Sequence, residues 1–212
     1  MTKIKNFRIA LRAREISRWL KRERGLETTP DLEIAIDHLI KEGKTWIEPA
    51  AVYSTLTRQI AEKTTTIAFP ERSIAVSVIA VSIGPGLVQK RLEAESDAGR
   101  QALLAALEQE ALSQSVSFAV RLIQEQAKEE DCELSALAVT PAEAGVQNAD
   151  VLDSGFRRND GLSALASLVG VQRIGINLDS SGSELPSHAR VSWLFWTPIG
   201  KGASKRAEKA VA

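Results

Sequence analysis

The side chains able to carry chemistry are few and scattered. The two histidines, His38 and His188, stand far apart, and the single cysteine, Cys132, can neither form an internal disulfide nor build a zinc site by itself. A histidine-rich metal site is not expected. No GxxxxGK(S/T), GxGxxG, HExxH, GxSxG or paired CxxC occurs, so phosphate loops, zinc hydrolases and nucleophile elbows find no support. The run SIGPG at Ser82 to Gly86 can present backbone N–H groups to an anion, although a tight turn needing glycine dihedrals is the simpler reading. Trp193 and Trp196 stand three apart, so a strand would send them to opposite faces, with at least one expected at the surface. An exposed tryptophan beside His188 and Arg190 could stack a ligand ring or simply close the edge of a core.

Charge adds one feature. Lysine plus arginine equals aspartate plus glutamate at 27 each, so the chain has no overall field that would draw in nucleic acid or acidic lipid. Locally, however, Arg8, Arg12, Arg14, Arg18, Lys21, Arg22 and Arg24 outnumber Glu15 and Glu23. Such a stretch can grip an acidic partner, a membrane surface or RNA, but a solvated helix face is the more economical reading. Overall neutrality and the lack of interleaved aromatics argue against nucleic acid. No long apolar stretch follows the first charges as a secretory signal would require, and Ile74 to Ile83 is about half of a membrane span. With one cysteine, a reducing, cytoplasmic setting is expected.

The elements that must position these groups follow from periodicity. Ile16, Trp19 and Leu20 recur at helical spacing and Gly25 can close the last turn, predicting a helix near 10 to 24. Thr29 offers an N-cap, Pro30 suits the first helical position, and Leu32, Ile36, Leu39 and Ile40 form one stripe ending at Gly43. Val52, Leu56 and Ile60, four apart after Pro49, predict a third helix. The branched run Ile74 to Ile83 reads as a strand covered on both faces. Leu87, Val88 and Leu92 start a short helix. Ser96 and Asp97 can cap a long one reaching about Lys128, kept slim by Ala105, Ala106, Ala111, Ser113 and Ser115. Val171 to Leu178 and Val191 to Trp196 read as strands joined by a hairpin or a wider connection.

The segment Val139 to Gly161, VTPAEAGVQNADVLDSGFRRNDG, has no sustained period and reads as a long surface loop. Its pieces TPAEAGVQ and LDSGFRRND resemble the translation of a dispersed palindromic repeat element of bacterial genomes. LSALA at Leu134 to Ala138 recurs at Leu162 to Ala166, as a duplicated insertion target would. The resemblance implies a bacterial host and makes Asp153, Arg157, Arg158 and Asp160 passengers.

In order, EPAAVY at Glu48 to Tyr53, AVSIG at Ala80 to Gly84, the helix ALLAALEQEALSQSVSFAV and the close RIGINLDSSGSELPSHARVS at Arg173 to Ser192 resemble the activation domain of vitamin B12-dependent methionine synthase. Its small stand-alone bacterial relatives are the nearer match. The resemblance spans roughly Trp46 to Trp196 apart from the insert. It implies an α+β fold with a central antiparallel sheet and helices packed on it. It divides the chain into a helical N-terminal segment at 1–45, an activation-domain-like domain at 46–200 with the loop at 139–161, and a flexible basic tail at 201–212. It further implies S-adenosylmethionine as ligand, cobalamin only through a partner, and a corrinoid-binding protein or methionine synthase cobalamin domain as that partner. Ser82, Gly84, Ser187 and Ser192 fall on matching positions, where they either line the cofactor site or only shape backbone, and Arg190 is expected to join them as a cofactor-binding residue. The family's Gly-Tyr after the long helix is absent here, which leaves as the alternative a non-catalytic interaction scaffold that has lost its ligand. Whether the chain is an enzyme stays open, because in such a module the methyl group and the cobalt carry the chemistry.

Overall fold

The computed structural model describes residues 1–65, 67–139, 160–178 and 185–200. The apolar run read as a doubly covered strand forms β3 (Ala75–Ser82), in which every residue is buried. It pairs antiparallel on one side with β2 (Ala50–Thr57) and on the other with β6 (Ala189–Pro198). β1 (Thr2–Lys5) adds to β2, and β4 (Cys132–Leu134) and β5 (Ala138–Val139) both line the outer edge of β6. The path across the sheet is β1-β2-β3-β6-β4, antiparallel throughout. Between β4 and β5, Ser135 keeps the ladder closed. Its N–H donates to Phe195 O at 2.9 Å and its Oγ accepts from Phe195 N at 3.0 Å.

Alternation along the strands creates two cores. Ala51, Tyr53, Ile79, Val81, Leu194 and Trp196 face α5 (Ala98–Glu129), with α1 (Ala13–Arg24) and α2 (Pro30–Gly43) packed against it and α4 (Gly86–Glu93) alongside. Val52, Val76, Val78, Ala80, Val191 and Trp193 face the opposite side. They meet α3 (Arg58–Thr64), α6 (Asp160–Val169) and a 3-10 turn at Val171–Ile174. Ile16, Leu20, Ile36 and Leu107 are fully buried, each burial being worth about 1.5–3 kcal/mol.

The helix caps are those expected. Gly25 ends α1 at φ 64°, Thr29 Oγ1 accepts from Leu32 N at 3.2 Å, and Asp97 Oδ1 accepts from Arg100 N at 2.9 Å. α2 packs closely on α5 because Gly43 has no side chain: a Cβ there would lie 2.5 Å from Leu107 Cδ2.

Four expectations are corrected. Val52, Leu56 and Ile60 do not share a helix: residues 50–57 are strand β2 and only Arg58–Thr64 is helical. A spacing of four also puts residues on one face of a strand, and the β-branched, doubly buried context decides it. Residues 171–178 are not a strand, because Gly170 and Gly175, at φ 60° and 77°, bracket the 3-10 turn. Hence β6 forms no hairpin with them and pairs with β3, β4 and β5 instead. Trp193 and Trp196 do face opposite sides, but both are buried, at 6% and 2% exposure, so neither is a surface stacking platform. Within the N-terminal segment expected to be helical, residues 2–5 form β1.

Of the loop expected at 139–161, Val139 ends β5 and Asp160 opens α6, while residues 140–159 lie outside the described residues. The basic tail at 201–212 lies outside them too.

Candidate functional site

Three of the five residues singled out from sequence meet at one end of the β3–β6 pair. Ser82 ends β3 opposite Ala189, and its Oγ accepts from Gly84 N at 3.1 Å. Gly84 sits at φ 74°, which glycine adopts without the clash of a Cβ. Ser187 lies exposed in the turn closed by Ala189 N donating to Pro186 O at 2.9 Å. The remaining turn bonds, Ile83 N to His188 O at 3.0 Å and Glu48 N to Ile83 O at 2.9 Å, fasten this end together.

Arg190 and Ser192 belong to the other face. By alternation they share the side of Leu194 and Trp196, against α5, whereas Ser82 shares the side of Val76, Val78 and Ala80. The Arg190 guanidinium donates from Nη2 to Gln109 Oε1 on α5 at 2.8 Å. Ser192 is fully buried between Ile79 and Val139, and its Oγ has no hydrogen-bond partner among the described residues.

The SIGPG run is a turn whose glycines are needed by packing. A Cβ on Gly86 would collide with the backbone carbonyl of Trp46, so the start of α4 is closed by protein.

Sequence reading missed the acids of α5. Glu108 is 1% exposed and its Oε2 accepts from Arg91 Nη1 at 2.8 Å, while Oε1 has no hydrogen-bond partner among the described residues. The signal was available: Glu108 follows Leu104 by four and precedes Ala111 by three, which places it on the buried stripe of the helix. Burial lowers the His188 pKa below the ordinary imidazole value, and the negative charge of Glu108 partly opposes this. Glu110, 5% exposed, accepts from Arg12 Nε at 2.8 Å, from Arg12 N at 3.3 Å and from Gln114 Nε2 at 3.0 Å. The bond to Glu110 raises Arg12 further above its already high value.

Between α1 and α5 lies a cleft of about 660 Å³. Arg12, Glu15, Arg18, Trp19, Arg22 and Glu23 form its α1 wall. The α5 wall is lower, made of Ala106, Gln109, Glu110 and Ser113, and Arg190 reaches it from β6.

Among the described residues no cluster of three or more His, Cys, Asp or Glu could hold a metal ion, and no helix is long and apolar enough to cross a membrane.

No protein-family model and no curated protein matches the chain. Among solved structures, the crystal structure of the MetH reactivation domain bound to AdoHcy matches with a TM-score of 0.54 at 11% identity. The match covers 94% of this chain and 79% of that one. The architecture is therefore an α+β, reactivation-domain-like fold, with the central antiparallel sheet and packed helices expected from sequence. The particular structure it is similar to, the MetH reactivation domain, is one whose fold the chain shares along nearly its whole length.

Proposed function

We propose that this chain is a reactivation-domain-like module that takes S-adenosylmethionine and docks a corrinoid-carrying partner such as the cobalamin domain of methionine synthase. The observation that carries this reading is the extent of the fold likeness, 94% of the chain, to a domain whose structure holds AdoHcy. In this reading Arg190, presented at the cleft by Gln109, pairs with the carboxylate of the ligand. Ser187 and the backbone around Gly84 contact the polar remainder, and Ser82 holds the Gly84 turn in shape. Ser192, fully buried on the α5 side of the sheet, does not reach the ligand in this reading. The bound ligand supplies a transferable methyl group, and the residues of this chain only bind and orient it.

A second reading, an interaction scaffold without the ligand, is favoured by one feature: Arg190 is already engaged by Gln109 and Ser192 is sealed under the sheet. Calorimetry separates the two. Saturable heat with S-adenosylmethionine or AdoHcy, weakened about tenfold or more by Arg190→Gln, supports the first, since a charge-assisted bond is lost. No heat with either ligand, together with no retention of a cobalamin-loaded protein, leaves the scaffold.

A further inference from the structure

We propose that the cleft between α1 and α5 is a binding site for a small organic anion carrying phosphate or carboxylate groups, with Arg18 and Arg22 as its principal donors. At about 660 Å³ the cleft falls within the roughly 300–1,000 Å³ typical of ligand pockets. Its shape comes from two facing helical stripes. Long side chains at positions 12, 15, 18 and 22 of the α1 side stand opposite short or neutral ones, Ala106, Gln109 and Ser113, on α5. Long against short leaves a trough that the protein does not fill.

The charges in the trough are arranged unequally. Four arginines face three glutamates; Arg12 and the 5% exposed Glu110 neutralise each other, which leaves Arg18, Arg22 and Arg190 against Glu15 and Glu23. Arg18 uses Nη1 on Glu15 at 2.8 Å, and Arg22 uses Nε on Glu23 at 2.7 Å. A guanidinium carries five N–H donors, so each of these keeps most of its fork for an oxyanion while its glutamate fixes the rotamer. Both side chains are more than half exposed, which leaves them reachable. Trp19, half-buried in the same wall, adds an apolar surface beside the charges. The adenosyl reading uses the same cleft and Arg190, but not Arg18 or Arg22, so substitution of those two tests this proposal and Arg190→Gln tests the other.

The test is calorimetric titration of the full chain at low ionic strength with inorganic pyrophosphate and, separately, with citrate. The two arms tell a phosphate ligand from a carboxylate one. Saturable binding of at least one probe is expected, weakened about tenfold or more by Arg18→Gln with Arg22→Gln. It should be unchanged by Lys3→Gln with Lys5→Gln, which removes the same charge from β1 on the far edge of the sheet. Absence of saturable binding by the unaltered chain overturns the proposal, as does equal weakening by the two double variants, which would mean bulk charge alone. Retention of polyglutamate without small-anion binding also overturns it, in favour of an acidic protein partner.

Discussion

Trp196 Nε1 on β6 donates to Ser77 Oγ on β3 at 2.8 Å, across 119 positions of sequence, and both side chains are buried. Ser77 also lies 2.7 Å from Thr55 Oγ1 on β2, so one hydroxyl ties the three central strands together. The bond is diagonal in the ladder, since Ser77 stands directly opposite Leu194.

Ser77→Ala should therefore leave a buried indole N–H without its acceptor. The expected cost is about 1–3 kcal/mol. For a chain of this size each kcal/mol lowers the melting temperature by about 2–4 °C. Thermal denaturation followed by circular dichroism measures it. An unchanged melting temperature would show that the indole finds another partner.

The turn into α4 gives a paired prediction. Gly86→Ala drives a methyl group into the carbonyl of Trp46, backbone that cannot yield as a side-chain tip can, and should cost about 1–3 kcal/mol. Gly99→Ala near the start of α5 meets only Asp97 Oδ1 at 3.4 Å, so its melting temperature should stay the same or rise. If both variants behave alike, the close approach at Gly86 is not what holds the turn.

The lowered pKa of His188 sets the sign of a pH effect. The unfolded chain binds a proton near the ordinary imidazole value of 6.5, whereas the folded chain binds it only at lower pH. Stability from this group is thus complete above about 6.5 and is lost as pH falls from there toward the folded value. His188→Gln should flatten that part of the stability profile between neutral and mildly acidic pH, measured by denaturant titration at each pH. A profile of unchanged slope would assign the effect to other groups.

Cys132 is buried, and its thiol pKa is raised first by desolvation and then by Glu130 and Asp131. Little thiolate forms near neutral pH, so alkylation by iodoacetamide should be slow in the native chain and become fast on adding denaturant. Rapid labelling of the native chain would contradict that burial.

Much of the frame was written in local sequence. The caps at Thr29 and Asp97, the left-handed stop at Gly25, and the branched run of β3 needed only short-range chemistry, so their reading agrees with the structure. The α+β class with a central antiparallel sheet was what the resemblance implied, and the strand pairing agrees with it. Where local chemistry was ambiguous, tertiary contacts decided. The five residues LSALA span the end of β4 and the start of β5 at 134–138, yet lie within helix α6 at 162–166. Identical residues cannot choose between the two; the edge of β6 offers one copy a ladder, and the other takes helix. Likewise Val52 and Leu56 satisfy helix and strand spacing alike, and pairing with β3 settles which. The candidate sites divide the same way. Ser82, Gly84, Ser187, Arg190 and Ser192 were expected at one site, but strand alternation sends Ser82 to one face of the sheet and Arg190 and Ser192 to the other. The trough between α1 and α5 exists only because long side chains on one helix happen to meet short ones on another, a relation that folding alone creates.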